Sequence, residues 1–287
     1  MKLTKNKLVE IIGKKNRGWT TYQARKIAGI SIRRVNQVYG QYLLSEQIPE
    51  IGKKSGRPKK LIEDWEIEVV KQVYEKYKVS ADTLENFIER DYKKHIGHNR
   101  IHRILLSIGC AKKKGKIDVR KKKWIRYERR HSLTAVHIDW HYCARQQIWV
   151  FAVLDDASRK LLALVECKHA TTEQSIYGMK LAMQHGRIKQ CISDHGSQFI
   201  SNLGGDSRFK EFLDDNGIQQ ILCRIKHPQS NGKVEKFFDL YKNKRSLFKN
   251  KEEFIVWYNE VRPHRSLNFE VLETPQQAFI RKMKAEV

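Results

Sequence analysis

Three acidic residues in the second half of the chain stand where a folded sheet would bring their side chains together: Asp139, Asp194 and Glu235. Asp139 lies within residues 133–142, where apolar and polar residues alternate as in a strand. Asp194 follows a short apolar run at a strand end, and Glu235 lies near the start of a long helical pattern. Neighbouring strands of one sheet place such points side by side, so the three carboxylates can converge. The alternative for any one of them is an ordinary surface charge.

A cluster of three carboxylates has to bind metal ions. Unpaired carboxylates packed together repel one another and raise one another's pKa, whereas two divalent cations neutralise them and leave positions open for phosphate oxygens. Two Mg²⁺ or Mn²⁺ ions about 4 Å apart would activate a water or a 3′-hydroxyl on one side and stabilise the leaving oxygen on the other. The carboxylates therefore predict metal-dependent phosphoryl transfer.

Other chemistries find less support in the sequence. Tyr142 and Ser197 lie away from the Arg and His partners that a tyrosine or serine recombinase requires. Three histidines precede Cys110, but no second cysteine follows at ligand spacing, so a zinc site is not predicted there. The five cysteines are scattered and form no C-x-x-C pair, which argues against a disulfide framework.

The elements that carry the carboxylates follow from the periodicity of residues 131–287. Three strands of an antiparallel meander are predicted at residues 133–142, 149–154 and 161–166, with a turn at residues 155–159 between the last two. The next elements are a helix over residues 172–184, a strand at 190–193, a helix ending near 216–217 and a strand at 221–225. A long helix follows and holds Glu235 in or near its first turn. This half is therefore predicted to be an α/β domain.

The net charge of +25 is concentrated in the first half of the chain. Residues 1–130 hold 34 Lys and Arg against 14 Asp and Glu, a net +20, which leaves +5 for residues 131–287. Such an excess attracts a polyanion, and the aliphatic periodicity of the same region indicates folded basic domains rather than a tail. Because no apolar run reaches membrane length and no signal peptide is present, we expect a soluble, cytoplasmic, nucleoid-associated protein.

Residues 1–52 are predicted to form a helix-turn-helix DNA-binding domain. Residues 20–43 show two short helices broken at Gly29, with Ser31 able to cap the second helix. The outward residues at the start of that helix, which would enter the major groove, are Arg33, Arg34, Asn36 and Gln37. The alternative is a small helical hairpin with no role in DNA recognition.

A basic linker at residues 53–60 leads to a second helix-turn-helix-like domain at residues 61–112. The linker contains Gly56-Arg57-Pro58, which is similar to the core of an AT-hook, and Arg57 would enter a narrow minor groove. A solvated linker is the alternative. The second recognition helix is predicted at residues 98–109, where three side chains are available to bases or phosphates: Asn99, Arg100 and Arg103. A further basic linker, residues 113–130, completes the first half.

The start of the helix that carries Glu235 has its own anion-binding features. A helix start presents free backbone N–H groups and the positive end of the helix dipole. Three side chains beside it, Asn231, Lys233 and Lys236, are predicted to contact a scissile or adjacent phosphate of DNA. In the alternative, Asn231 caps the helix and the lysines are solvated.

Five ordered strings in the second half resemble one known family. The strings VHIDWH, SDHGSQF and HPQSNGKVEKFF, followed by YNEVRPHRSLN and ETPQQAF, are similar to those of the integrase-core (retroviral-integrase-like) DDE transposases of prokaryotic insertion sequences. The resemblance covers roughly residues 120–285. The preceding WIRYERRHS and the paired helix-turn-helix units with a GRP linker also occur in such transposases. One departure is the interval of 41 positions between Asp194 and Glu235, a few more than usual; residues 200–206 accommodate the surplus.

The resemblance implies an RNase H-like fold with a mixed five-stranded sheet and assigns Asp139, Asp194 and Glu235 as the metal-binding triad, with two Mg²⁺ or Mn²⁺ ions. It implies a transposase that binds the terminal repeats of its element, cleaves a 3′ end and joins it to target DNA. Double-stranded DNA and further copies of the chain, as a dimer or a higher multimer, are the expected partners. The main alternative is a catalytically silent or domesticated transposase that acts as a DNA-binding regulator. A plain RNase H-type nuclease would not need two helix-turn-helix units.

Overall fold

The structure, a computed structural model, describes residues 3–50, 60–113, 127–201, 205–223 and 231–283. The chain divides into two compact units, Met1–Leu61 and Ile62–Val287. This division leaves the five-part domain scheme of the sequence a prediction. In the described ranges, no helix combines the length and the apolar character that a membrane crossing requires.

The first unit consists of three helices around one small core. They are α1 (Lys5–Asn16), α2 (Thr21–Ala28) and α3 (Ile32–Ser45). Gly29 ends α2 with a φ of 65°, a left-handed conformation that glycine adopts without strain, and the Ser31 hydroxyl caps α3 as predicted. Predicted core residues of α2 and α3 are buried, among them Ala24 and Val38. The helix α1, which the sequence did not predict, adds Leu8, Ile11 and Ile12 to this core.

The second unit begins with three further helices: α4 (Asp64–Tyr77), α5 (Ala81–Tyr92) and α6 (His98–Ser107). Their predicted apolar faces are buried, as Val70, Leu84 and Ile101 illustrate. These faces share one hydrophobic cluster with the sheet and with later helices of the same unit. The α4–α6 segment therefore packs as part of the second unit rather than around a core of its own.

The centre of the second unit is a mixed five-stranded sheet. Its strands are β1 (Ala135–Cys143), β2 (Ile148–Asp155), β3 (Leu161–Cys167), β4 (Gln190–Ser193) and β5 (Gln219–Leu222), in the spatial order β3-β2-β1-β4-β5. The first three are antiparallel neighbours, as predicted, while β4 runs parallel to β1 and β5 parallel to β4. The last strand was predicted at residues 221–225 and lies earlier, because polar Gln219 and Gln220 pair with β4 at an edge where burial is incomplete. Residues 224 and 225 lie outside the described ranges.

Helices cover both faces of this sheet. They are α7 (Thr172–Met183), α8 (Arg208–Asp215), α9 (Gly232–Lys244), α10 (Lys251–Val256) and α11 (Pro275–Arg281); a 3₁₀ turn (Arg245–Leu247) and a π-helix (Trp257–Val261) flank α10. On one face, Val136 and Ile138 pack with α7, α8 and α11. On the other, Val150 and Ala152 pack with α9, α10 and α4–α6. Strand order, the mixed sheet and helices on both faces define an RNase H-like α/β fold, as the sequence predicts. A helical region precedes it in the chain, also as predicted.

Candidate active site

Sheet register places the first two carboxylates level with one another. Asp139 lies in the middle of β1, opposite Ala152 of β2. On the other side of β1, His137 pairs with Ile192 in the parallel register of β4. Two residues further along both strands, the same register leads to Asp139 on β1 and to Asp194, which follows the end of β4. The backbone of Gly196 donates a hydrogen bond of 2.9 Å to Asp194 Oδ1 and fixes the carboxylate in its turn.

Glu235 reaches the same region from α9. It lies in the first turn of this helix, as predicted, and α9 packs across the face of β1 that carries Asp139. Val234 and Phe238, on either side of Glu235 along the helix, are buried, and the Phe238 ring lies 5.1 Å from the ring of His141 on β1. This packing anchors the start of α9 to the central strand.

The three carboxylates interact electrostatically. Burial raises the pKa of Asp139 to about 7, with further contributions from the negative charges of Asp194 and Glu235. A hydrogen bond of 2.8 Å from the Trp140 backbone N–H to Asp139 Oδ1 acts in the opposite direction. Burial and the two neighbouring negative charges thus both disfavour the ionised form of Asp139.

Cys223, just after β5, lies beside the same three carboxylates. Burial, together with the negative charges of Asp194, Asp139 and Glu235, raises the pKa of its thiol to about 11. The thiol is therefore protonated at neutral pH and contributes no negative charge. The sequence did not single out Cys223, because it stands in a short strand of mixed polarity with no metal-ligand spacing.

No positive charge compensates this acidic group in the described part of the chain, since no Lys, Arg or His lies within ion-pair distance of Asp139, Asp194 or Glu235. Among the same described residues, no three His, Cys, Asp or Glu side chains already surround a single metal-ion position. The donor set nevertheless fits Mg²⁺ or Mn²⁺, because these cations prefer carboxylate oxygens and because an uncompensated acidic group requires a cation.

A buried ion network joins the two elements that carry Asp139 and Glu235. Asp156 is 1% exposed; His137 Nε2 lies 2.7 Å from its Oδ1, and the Lys233 ammonium pairs with the same oxygen. The backbone N–H of Arg129 donates to Asp156 Oδ2 at 2.5 Å. Although burial alone would raise it, the hydrogen bond from His137 and the charge of Lys233 hold the pKa of Asp156 below its ordinary value. The network thus ties β1 at His137 to the start of α9 at Lys233.

Asn231, Lys233 and Lys236 lie at the start of α9, as predicted, but their surroundings differ. Lys233 is 13% exposed, lies 4.3 Å from the Tyr127 ring centroid and faces Asp156. Burial and the charge of Arg159 lower its pKa to about 8. Asn231 precedes α9 but makes no capping hydrogen bond, and its buried Oδ1 finds no partner among the described residues. Lys236 is exposed and pairs with Asp239 at 3.3 Å. A phosphate contact by these three residues stays a prediction.

The predicted recognition residues of α3 are exposed. Arg33 lies free on the surface side of the helix, and the guanidinium of Arg34 donates to Gln37 at 3.2 Å. Asn36 accepts a hydrogen bond of 3.1 Å from the Thr21 hydroxyl of α2. Arg57 lies outside the described residues. The surface of α3 is thus polar and accessible, and its contact with DNA stays a prediction.

On α6, the three predicted DNA contacts differ in accessibility. Asn99 and Arg103 are exposed, whereas the guanidinium of Arg100 is turned inward and pairs with Glu66 at the start of α4. This ion pair lowers the pKa of Glu66 and is a tertiary contact between two helices. Helical periodicity placed Arg100 on the polar face, but it could not show that a buried carboxylate of another helix adjoins this face.

Comparison with known proteins identifies the domain that holds the carboxylates. Two family models, both described as integrase core domain, match residues 129–228 and 216–270. Together these matches span the sheet, Asp139, Asp194 and Glu235. Residues 129–270, just under half of the chain, therefore match the integrase core domain.

Two curated relatives are similar over part of their length. The chain is 28% identical over 186 residues to a "putative integrase ORF3" of Spiroplasma virus SpV1-C74. This match covers 55% of this chain and 51% of that protein. It is 31% identical over 96 residues to a "transposase for insertion sequence element IS21-like" of Bacteroides fragilis, 31% of this chain and 18% of that protein. The chain thus spans about half of the viral relative and less than a fifth of the bacterial one.

Solved structures with distant similarity include two retroviral proteins. The catalytic core domain of BIV integrase has a TM-score of 0.41 and 16% identity, over 51% of this chain and 93% of that chain. A simian T-cell lymphotropic virus intasome in complex with PP2A regulatory subunit B56 gamma has a TM-score of 0.47 and 13% identity, over 76% of this chain and 75% of that chain.

Proposed function

We propose that this protein is a DNA transposase of the insertion-sequence type that binds the terminal repeats of its element and catalyses 3′-end cleavage and strand transfer. Asp139, Asp194 and Glu235 are its catalytic and metal-binding residues. The observation that carries the proposal is an acidic group without a compensating cation among the described residues, on an integrase core domain, in a chain of net charge +25. An excess of negative charge at one point of a strongly basic protein indicates a metal-binding site.

The residues of the site have complementary tasks in this proposal. Asp139 and Asp194, from adjacent strands, and Glu235, from α9, would hold two Mg²⁺ or Mn²⁺ ions. When bound, such ions supply an activated water or 3′-hydroxyl and stabilise the leaving oxygen of the phosphodiester. Because its pKa is raised to about 7, Asp139 would have to give up its proton before its carboxylate could hold a cation. The reaction proceeds through attack by water or by a DNA 3′-hydroxyl and forms no covalent bond between protein and DNA.

The helical regions supply DNA recognition in the same proposal. The start of α3 would contact base edges in the major groove, and the exposed Asn99 and Arg103 of α6 would provide a second contact. Both DNA ends of an element have to be held during transposition, so we propose a dimer or a higher multimer on DNA. The domain limits assigned from sequence, 1–52, 61–112 and 131–287, are part of this proposal.

The decisive experiment compares carboxylate variants with a matched control from α9. Asp139→Asn, Asp194→Asn and Glu235→Gln each keep the side-chain volume and remove one negative charge, whereas Asp239→Asn removes an exposed charge one turn beyond Glu235. Each variant is incubated with Mg²⁺ or Mn²⁺ and a duplex that carries the junction of the element with its flanking DNA. We expect the three site variants to lose nicking and strand transfer while they still bind the end DNA. The control variant Asp239→Asn is expected to keep all three activities.

Two outcomes would contradict the proposal. Nicking by any of the three site variants at close to the wild-type rate would remove that residue from the active site. Tight and specific end binding by the wild-type protein without nicking in either metal would instead support the catalytically silent, DNA-binding regulator.

A further inference from the structure

A cavity of about 140 Å³ lies between the start of α5, the end of α9 and the segment after the π-helix. Four of its ten lining residues are cationic, and none is acidic: the cations are Lys78, Lys244, Arg262 and Arg265. All belong to the second unit. The sequence assigned no function to these four residues.

Three of the four cations have no acidic counter-ion among the described residues. Arg265 pairs with Asp82 of α5. Within the part of the chain that the structure describes, no carboxylate lies within ion-pair distance of the other three. These cations lie against aromatic rings instead, at centroid distances of 5.3 Å for Lys244 and Tyr74, 5.7 Å for Lys78 and Phe248, and 5.4 Å for Arg262 and Tyr258. A ring face stabilises a cation without using up its N–H donors. The Lys78 ammonium donates one hydrogen bond of 2.8 Å to the Glu75 carbonyl and keeps its other two N–H donors for another acceptor.

Arg262, which lines the cavity, has an unpaired buried donor in the described part of the chain. Its Nη1 atom is buried and has no hydrogen-bond partner among the described residues. An unpaired buried donor on a charged group is costly, and native proteins satisfy most such groups. Burial also lowers the pKa of Arg262, and burial together with the charges of Arg262 and Lys78 lowers the pKa of Lys244. Elsewhere in the unit a comparable arginine, Arg245, is satisfied by Glu166 at 2.7 Å.

The start of α5 adds positive potential to the same cavity. Ser80 and Thr83 line it, and Ser80 precedes the first residue of this twelve-residue helix. The Ser80 hydroxyl bonds to Asp82 and Thr83 side chains and makes no capping bond to the backbone. The positive end of the helix dipole therefore lies beside Lys78, Lys244 and Arg262, while the Asp82 carboxylate in the first turn is engaged by Arg265 and Ser80. An anion is the ligand that this arrangement favours.

We propose that this cavity binds a phosphodiester group of DNA at a position distinct from the carboxylate site, an inference that rests on the DNA-binding function proposed above. A guanidinium and two ammonium groups match the charge and acceptor geometry of a phosphate. The side chain of Arg265 is 70% exposed, so the cavity is accessible to a polymer from the surface. Lys244 follows Glu235 by nine residues of α9, which is roughly 13 Å along the axis and half a turn around it. The bound phosphate therefore belongs to a stretch of DNA away from the cleavage point.

The test uses the full-length protein and the variant Lys244→Met, with Lys71→Met as control. Lys71 is an exposed lysine of α4 that does not line the cavity, so both variants lose one positive charge. The first measurement is thermal unfolding in sodium phosphate and in sodium chloride at equal ionic strength. The second is the affinity for a duplex of random sequence over a series of salt concentrations.

We expect phosphate to raise the melting temperature of the wild type and of Lys71→Met, but not of Lys244→Met. We also expect the slope of log affinity against log salt to decrease by about 0.9 for Lys244→Met, which corresponds to roughly eightfold weaker binding at about 0.1 M salt. Should Lys244→Met fold poorly, Lys78→Met removes a second cation of the cavity and is expected to reduce the slope similarly.

An unchanged slope in a folded Lys244→Met or Lys78→Met protein, or a change no larger than that of Lys71→Met, would overturn the proposal. Loss of the phosphate effect without a change in slope would also overturn it, because the cavity would then bind free phosphate only. Neither measurement requires catalysis. If the wild type fails to nick DNA but keeps the phosphate stabilisation and the salt dependence, only the transposase proposal is contradicted. The variant Asp139→Asn is expected to keep both the phosphate stabilisation and the salt dependence.

Discussion

The substitution Asp156→Asn should destabilise the second unit strongly, although the sequence predicted Asp156 neither as a metal-binding residue nor as a DNA contact. The side chain is 1% exposed and satisfies His137, Lys233 and the backbone N–H of Arg129. Removing one partner of a buried ion pair costs about 3–5 kcal/mol, because the remaining charge stays buried without compensation. Lys233 is 13% exposed and can regain some hydration, so we expect the lower end, about 3 kcal/mol.

The measurement is urea denaturation and calorimetry without divalent metal. For a unit of the size of residues 62–287, about 3 kcal/mol corresponds to a decrease in melting temperature of roughly 6–12 °C. Lys233→Met in the Asp156→Asn background removes the stranded charge, so the double variant should be more stable than the sum of the single effects predicts, by about 2 kcal/mol. Asp214→Asn, which breaks the exposed pair of Lys210 and Asp214, is the control and should change stability by less than about 0.5 kcal/mol.

Two results would refute this reasoning. An Asp156→Asn effect below about 1 kcal/mol would show that the buried network does not hold the charge as described. Additive effects of the two substitutions would show that Asp156 and Lys233 do not interact in solution. If the coupling is found, weaker Mn²⁺ binding by Asp156→Asn is expected too, because the network joins the strand of Asp139 to the helix of Glu235.

Three further predictions concern other parts of the molecule. In the folded protein the pKa of Asp139 is raised from 3.8 to about 7, so the metal-free protein should lose stability as the pH rises between these values. The expected loss is about 2 kcal/mol after allowance for the partial exposure of the side chain. Denaturation measured as a function of pH should show no such loss for Asp139→Asn. Gly178→Ala on α7 should lower the free energy of unfolding in urea by about 1–3 kcal/mol, because the added Cβ would lie 2.5 Å from the Phe151 ring. This loss should outweigh the better helix propensity of alanine, so a stabilised variant would contradict the packing. Arg100→Ala should lower the melting temperature through loss of its buried carboxylate partner, whereas Arg103→Ala should leave it unchanged and weaken DNA binding, as filter binding and calorimetry can establish.

Local sequence patterns were sufficient for most elements of the second half and for the positions of the three carboxylates on them. Alternation over residues 133–142 predicts β1 and the face of Asp139, and the helical pattern after residue 231 predicts Glu235 in a first turn; both are confirmed. These patterns are local because side-chain direction repeats every two residues in a strand and every 3.6 in a helix. The pattern fails at β5, where the polar residues Gln219 and Gln220 conceal an edge strand from any count of apolar residues.

Tertiary structure alone decided which charged groups meet. Asp156 and Lys233 are 77 positions apart and pair only because the turn after β2 and the start of α9 adjoin across the sheet. The same holds for Glu66, which engages Arg100 from another helix, and for Cys223, which the order of β4 and β5 brings beside the carboxylates. Periodicity fixes the face on which a side chain lies, whereas its partner depends on strand order, register and packing over long sequence separations. The sequence by itself therefore determined the candidate chemistry, and the fold determined which basic residues lie exposed and which are held in ion pairs.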